Sequence, residues 1–353
     1  MKPGGPDSQF SFPEDWDLLC EFLPELSRYN KANRGCSSSK DVLLKLYSHQ
    51  RVDETPEAMA YLVRANELIL KETPYSGMDR WTFKSVPSVR DVLNACLSMN
   101  LAAHPGYPWG IHCSNKRDFV VHHFPHLYLF VCVRILSWRY VVPFCKTTRD
   151  FLEAFAVDAS LVAEKNEVKK VDKDARIFLM GSIITEAAER CFIDSAAEMD
   201  KFHWGKHYSC IGIGFSVEHC DRFMSRIPSD LPLCTNDVPK FDVTRTKFER
   251  QLDAIVLLSQ KGCPVDHPLV DIVYGSVESA CHPLVVFADG SVWVAKKGGS
   301  TLTGERGTSK GNTTTRARRS FASSLFIKEM RIQPLKTSLF ELPVMTVLRV
   351  III

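Results

Sequence analysis

The chain has 353 residues, enough for one large domain or two smaller ones, and its 45% hydrophobic content is that of a globular protein able to bury a core. A formal charge of +3 is too small to establish a nucleic-acid partner by itself, so the clustering of the charges matters more than their sum. Twelve cysteines without a C-x-x-C pair argue against a disulfide framework or a zinc ribbon and for reduced thiols in a cytosolic protein.

The opening residues do not read as a signal peptide, and 1 to 15 are rich in Pro, Gly and Ser and read as loose. From Trp16 to about Asn100 the pattern is helical. "DWDLLCEFLPEL", "SKDVLLKLYSHQ", "TPEAMAYLVRANELIL" and "SVRDVLNACLSMN" each open on an Asp, Ser or Thr that can cap the first turn. "HPGYPWG" at 104 to 110 excludes regular helix. The most apolar stretch, 124 to 144, contains Arg134 and Arg139. A charge at mid-span costs about 2.5–3.5 kcal/mol on insertion scales, so this stretch reads as a buried core element and no stable membrane span is expected.

Residues 164 to 176 form a charged run, and "TEAAERCFIDSAAEMDKF" at 185 to 202 reads as helix. Thr246 and Glu249 make a capping box, with Phe248, Leu252, Ile255 and Ser259 at helical spacing and Gly262 as a stop. Residues 284 to 295 read as a hairpin around Asp289-Gly290. The mixture of hairpin, isolated strands and helices predicts an α+β fold rather than a doubly wound sheet.

Four stretches carry chemistry. "DVPKFD" ends an apolar run on Asp237 and places Asp242 five residues later, which turn chemistry alone could explain. In "TGERGTSKGN", Thr308 and Asn312 share a face if helix begins there, and Gly304, Gly307 and Gly311 leave backbone bare for a ligand. A surface loop is the alternative for that composition. Lys165, Lys169, Lys170, Lys173 and Arg176 could neutralise a triphosphate or form a solvated face. His122, His123 and His126 have metal-like spacing without an apparent fourth ligand, and Cys210, Cys220 and Cys234 near His203, His207 and His219 could meet only in three dimensions.

In this order the stretches resemble the RNA-dependent RNA polymerases of positive-strand RNA viruses, nearest the picornavirus, sobemovirus and astrovirus types. "HPGYPWG" is similar to the fingers motif G, and "EKNEVKKVDKDARIF" to motif F on Lys165, Glu167, Lys173 and Arg176. "DVPKFD" is similar to motif A on Asp237 and Asp242, and "TGERGTSKGN" to motif B on Thr303, Gly304, Thr308 and Asn312. The resemblance implies a right-hand polymerase fold and template-directed RNA synthesis with Mg²⁺ or Mn²⁺. Asp237 and the Val238 carbonyl would be metal ligands, with Asp237 catalytic. Asp242, Thr303, Gly304, Thr308, Asn312, Lys165, Lys173 and Arg176 would bind the nucleotide, while Gly106 and Tyr107 would guide the template. The implied partners are RNA template and primer, nucleoside triphosphates and other viral replication proteins, in the host cytoplasm at a replication complex.

Set on that pattern, the chain is expected to hold fingers and a partial palm, with the thumb absent. Residues 1–100 would form an N-terminal helical extension, 101–230 the fingers with motifs G and F, and 231–319 the palm with motifs A and B. Residues 320–353 would be a frame-shifted or disordered tail. The Gly-Asp-Asp of motif C is absent. The codons for Pro343 to Val347 admit Gly-Asp-Asp in the other frame, which suggests a frame slip between Arg319 and Pro343. A genuinely short relative, or a non-catalytic RNA-binding protein of polymerase-like fold, is the alternative.

Overall fold

The computed structural model describes residues 21, 24–25, 29–31, 38–50, 54–73, 86–155, 159–164, 168–170, 176–203, 208–209, 214, 216–225, 241–295, 298–299 and 308–332; the side chains of 29–31, 164, 168–170, 242, 308–311 and 330–332 are outside that description. Most of the expected helix at 16 to 26 and most of motifs A and F therefore lie beyond it.

Local capping sets the helix starts. Helices α1 (Ser39–Tyr47), α2 (Pro56–Glu72) and α3 (Val89–Leu97) begin after Ser38, Thr55 and Ser88, whose hydroxyls accept N–H groups of their first turns. Ser88 and Asp91 complete a reciprocal capping box. Asn115 caps α4 (Lys116–Tyr140) by accepting the Asp118 N–H at 2.9 Å. Inside α4, Pro125 lacks an N–H and its ring crowds the preceding turn, and His123 leaves helical backbone angles there.

After α5 (Thr148–Phe155) come strands β2 (Ser160–Glu164), β3 (Val168–Lys170) and β4 (Ile177–Met180). β3 pairs antiparallel with the early strand β1 (Tyr29–Lys31). Helix α6 (Ile183–Phe202) starts on Ser182, two residues earlier than its sequence pattern suggests, and α7 (Val217–Met224) starts on Ser216. Helix α8 (Lys247–Gln260) opens on the Thr246–Glu249 capping box and ends before Gly262, whose φ of 59° suits the left-handed stop. Helix α9 (Pro268–Cys281) leads into the hairpin of β5 (Leu284–Val286) and β6 (Val292–Val294), where Gly290 has φ 82°. The last described helix is α10 (Thr308–Ile332).

The larger sheet has the order β4-β2-β5-β6, with β2 antiparallel to β4 and parallel to β5. Mixed pairing of this kind is α+β. Leu43 of α1 covers one face of the sheet with Val162, Leu179, Val285 and Phe287. The main core lies among α4, α6 and α9. Leu127, Val131, Ile135 and Trp138 of α4 meet Ile184, Ala188 and Phe192 of α6 and Leu269 and Ile272 of α9. The Trp138 and Phe192 rings meet edge to face at 5.9 Å. A third layer joins α2 to α8 and α10 through Leu62, Ala65, Leu252 and Ala322. The expected boundary at 319 falls inside α10, whose Phe321 and Leu325 pack on that layer.

The apolar stretch 124 to 144 is only half a core element. Its inward stripe is buried, but Leu129, Val133, Tyr140 and Phe144 face outward. The periodicity did not separate these faces, because both are apolar.

A Cβ on Gly275 would lie 1.9 Å from the Trp138 carbonyl oxygen, so α9 and α4 touch backbone to backbone there. Gly275→Ala is expected to destabilise the protein by about 1–3 kcal/mol through overpacking, whereas Tyr274→Ala, at a partly exposed neighbouring position, changes the denaturation midpoint little. Chemical denaturation of both variants measures the difference.

Candidate active site

The loop similar to motif G is held by backbone contacts. Ile183 N–H donates to the Pro105 carbonyl at 2.9 Å, and the Trp109 indole N–H donates to Ser182 Oγ at 3.1 Å. Gly106 has φ 83°, and a Cβ there would lie 2.3 Å from the Gly181 carbonyl oxygen. The loop thus lies directly on the turn between β4 and α6. Gly106 meets a steric demand here, and half-buried Tyr107 packs against the main core beside Trp109. The Tyr107–Pro108 peptide is cis.

Behind this loop, the Lys116 ammonium pairs with Glu186, which also accepts from Arg190 at 2.9 Å. Arg190 reaches Asp194 at 3.2 Å and the Ser98 carbonyl at 3.0 Å. Burial pushes the Glu186 carboxyl up, but hydrogen bonds and charge from Lys116 and Arg190 outweigh it and leave the group below its usual range. His104 sits in the loop, and its Nδ1 accepts the Gly106 N–H at 3.1 Å. That bond needs an unprotonated Nδ1. Burial, and then the Lys116 charge, lower the His104 pKa and favour the neutral ring.

Among the residues similar to motif F, Arg176 is exposed immediately before β4. Lys165, Glu167 and Lys173 lie outside the described residues, as do Asp237, Val238, Thr303 and Gly304. The backbone of Asp242 forms part of a 3-10 turn, Phe241–Thr244. Thr308 opens α10, which puts Asn312 one turn later on the same face, as the sequence anticipates.

The region after motif A and the helix of motif B are clamped together by residues that sequence reasoning passed over. Arg319 donates to both carboxylate oxygens of Glu249 at 2.6 Å and to the Thr244 carbonyl at 2.8 Å, and its guanidinium lies 5.0 Å from the Phe241 ring centre. Arg318 is fully buried. It donates to Asn66 of α2 at 3.0 Å, the Glu249 carbonyl at 3.1 Å and Asp253 at 2.8 Å. Arg245 pairs with the same Asp253. Asn312 and Arg319 are seven residues apart, about two turns, so Asn312 lies along the side of α10 that meets the 241–244 turn. Gly299 adds a second tie, because a Cβ there would lie 2.4 Å from the Lys247 nitrogen at the start of α8. The available signal was the Arg318-Arg319 pair facing Glu249 and Asp253, which stand one helical turn apart.

Among the described residues, no group of three or more His, Cys, Asp or Glu side chains could hold a metal ion. His122 and His126 are exposed. Cys220 is an exposed free thiol, while Cys210, Cys234 and His207 lie outside the description. The oxygen donors that the motifs offer to a hard cation, Asp237 and the Val238 carbonyl, are of the right chemical type.

The fold is similar to the right-hand fold of viral RNA polymerases. Residues 19–315 match the family model described as viral RNA-dependent RNA polymerase, and the chain belongs to that family. It is similar to the solved Sicinivirus 3Dpol RNA dependent RNA polymerase, with a TM-score of 0.61 and 18% identity. The match covers 84% of this chain, which spans 60% of the length of that polymerase. No curated protein matches the chain.

Arg318→Ala is expected to cost about 3–5 kcal/mol, because it strips buried hydrogen bonds from Asn66 and the Glu249 carbonyl and leaves Asp253 with Arg245 alone, and Arg318→Lys recovers only part of this since one ammonium cannot replace the three-way fork. Thermal unfolding tests the order of the variants. A second expectation concerns pH. The folded state resists protonating His104, so its contribution is complete above the ordinary value of 6.5 and declines as pH falls from there toward the lowered folded value. Stability measured from pH 7.5 to 5 should show this acid limb, and His104→Gln should flatten it.

Proposed function

We propose that the chain is the fingers and palm portion of a viral RNA polymerase and that its site serves template-directed nucleotidyl transfer. The observation that carries this reading is the Arg319–Glu249 clamp, which sets the helix of motif B against the turn containing Asp242. The clamp supports this reading because a nucleotide site requires the stretches similar to motifs A and B to lie close together.

Each residue has a role within that reading. Asp242 accepts a hydrogen bond from the incoming ribose, and Thr303 and Asn312 select for its 2′-hydroxyl, the group that distinguishes RNA from DNA. Gly304 allows backbone to approach the nucleotide, and Thr308 supplies a hydroxyl one turn before Asn312. Lys165, Lys173 and Arg176 hold the outer oxygens of the triphosphate. Gly106 and Tyr107 border the template path, with the loop kept in shape by His104 and Ser182. Polymerases of this family generally use divalent metal. Asp237 and the Val238 carbonyl would hold it, and the metal would supply neutralisation of phosphate charge and a more acidic primer hydroxyl. RNA, nucleoside triphosphates and other replication proteins would be the partners, in the host cytoplasm at a replication complex.

The second reading is an RNA-binding protein of the same fold without synthesis. Helix α10 packs coherently as far as Glu329, which accepts from the Tyr61 hydroxyl at 2.7 Å and pairs with Arg64. Within the polymerase reading, a frame slip between Arg319 and Pro343 would bring in the Gly-Asp-Asp that the other frame admits.

Primer extension on a homopolymer template with Mg²⁺ separates the readings. The chain as it stands should extend primer about 10²-fold or more slowly than a frame-restored version, and Asp237→Ala should abolish the restored activity. In the restored version, Asn312→Ala should erode the preference for ATP over dATP. Salt-sensitive RNA binding with no synthesis in either version would support the second reading.

A further inference from the structure

Helix α4 departs from the pattern of its neighbours. The outer positions of α2 include Glu57, Arg64, Glu67 and Lys71, as expected of a helix with one face in water. In α4 the inner stripe of Leu127, Val131, Ile135 and Trp138 is at most 1% exposed, yet the outer stripe is apolar too. Leu129 is 56% exposed, Val133 50% and Tyr140 55%, and Phe144, in the 3-10 turn that follows, is 79% exposed. Scattered exposed apolar residues are ordinary, whereas a continuous stripe marks a surface that meets something apolar.

The charge pattern identifies the partner. No Asp or Glu occurs between Asp118 and Asp150, while His122, His123, His126, Arg134, Arg139, Lys146 and Arg149 all fall within that span. His122 and His126 lie exposed at one end of the stripe and Lys146 at the other. The flanking carboxylates are engaged. Asp118 accepts from Ser114 at 2.6 Å, Asp150 accepts the Lys146 and Thr147 N–H groups at 2.7 Å, and Asp271 lies 3.5 Å from Arg139. Arg139 also covers the Tyr140 ring at 4.9 Å. An aromatic residue beside a basic one, at the border of an apolar stripe, suits the headgroup region of a bilayer.

We propose that the outer face of α4 and its following turn, from Leu129 to Phe144, docks on an anionic lipid bilayer and lies in the plane of its surface. The segment Lys116–Phe144 is long and apolar enough to cross a membrane by length and composition. Crossing would require pulling Trp138 away from Phe192 and Gly275, whereas lying on the surface keeps the core intact. A second copy is a poorer occupant, because a two-fold contact would set this predominantly basic face, with His122, His126 and Lys146 at its ends, against itself. Helix α4 packs on α6 and α9, and α9 in turn packs on α8. A bilayer on the outer side of α4 would therefore leave the α8–α10 side free. The proposal does not depend on the polymerase reading.

The test is flotation of the full chain with phosphatidylcholine vesicles, with and without phosphatidylserine. The expected result is co-flotation that requires phosphatidylserine, weakens with salt, and falls about tenfold or more in Leu129→Glu/Val133→Glu. Lys146→Glu should lower binding without touching the apolar stripe. Leu44→Glu, at a similarly exposed leucine on α1, should float like the unaltered chain. Circular dichroism melts confirm that each variant is folded. Absence of co-flotation, equal flotation of the double variant, or a concentration-dependent dimer abolished by the double variant would each overturn the proposal, the last by assigning the face to self-association.

Discussion

The contact on which the rest of the candidate site depends is that of Arg318 and Arg319 with Glu249 and Asp253. Glu249 is fully buried and Arg318 equally so, and removing such charges from water is costly. What the contact adds is definition. A guanidinium fork matches a carboxylate in a single geometry, so α10 cannot rotate or slide on α8 without breaking several bonds together. Glu249 also accepts the Thr246 N–H that closes the start of α8. One carboxylate thus serves both the helix cap and the inter-helix clamp.

A second clamp, around Lys116, Glu186 and Arg190, orders the loop at 104 to 110. Helix α6 connects the two. Its first turns carry Ser182 and Glu186, and near its far end Asp200 accepts from the buried Gln260 amide of α8 at 2.7 Å. A helix of 20 residues is about 30 Å long, so α6 spaces the loop from the α8–α10 pair as a rigid strut. The main core holds that strut on one side through α4 and α9.

Much of this was legible locally. Caps at Thr55, Ser88 and Thr246 follow from side chains that satisfy backbone groups a few residues away, the first helix is capped by Ser38, one residue before the expected Ser39, and the stop at Gly262 and the turn at Gly290 follow from their positive φ. The polymerase family was legible as well, from the resemblance of four stretches taken in order. The two faces of α4 were not, because a helix apolar on both sides gives no periodic signal. Arg318 and Arg319 were obscure for a different reason. Charged residues ordinarily face water, and their partners Asn66 and Glu249 are separated from them by hundreds or tens of residues in sequence. Gly106 illustrates a shared claim: the motif resemblance suggests template guidance, while the contact with Gly181 supplies a packing demand for the same glycine.

The distance in sequence between Asn66 and Arg318 has a consequence for how the molecule is made. At translation speeds of about 5–20 residues per second, α2 emerges roughly 13–50 s before the arginine that will join it. Until then Glu249 and Asp253 lack the guanidinium partners that α10 brings, so burying them early would be unfavourable. The α4, α6 and α9 layer has no such dependence and can consolidate on the ribosome as soon as α9 is released. The ties of α2 and α8 to α10 therefore form only once its arginines emerge, whereas Ala254, Leu257 and Leu258 of α8 belong to the core around Trp138 and can pack before then.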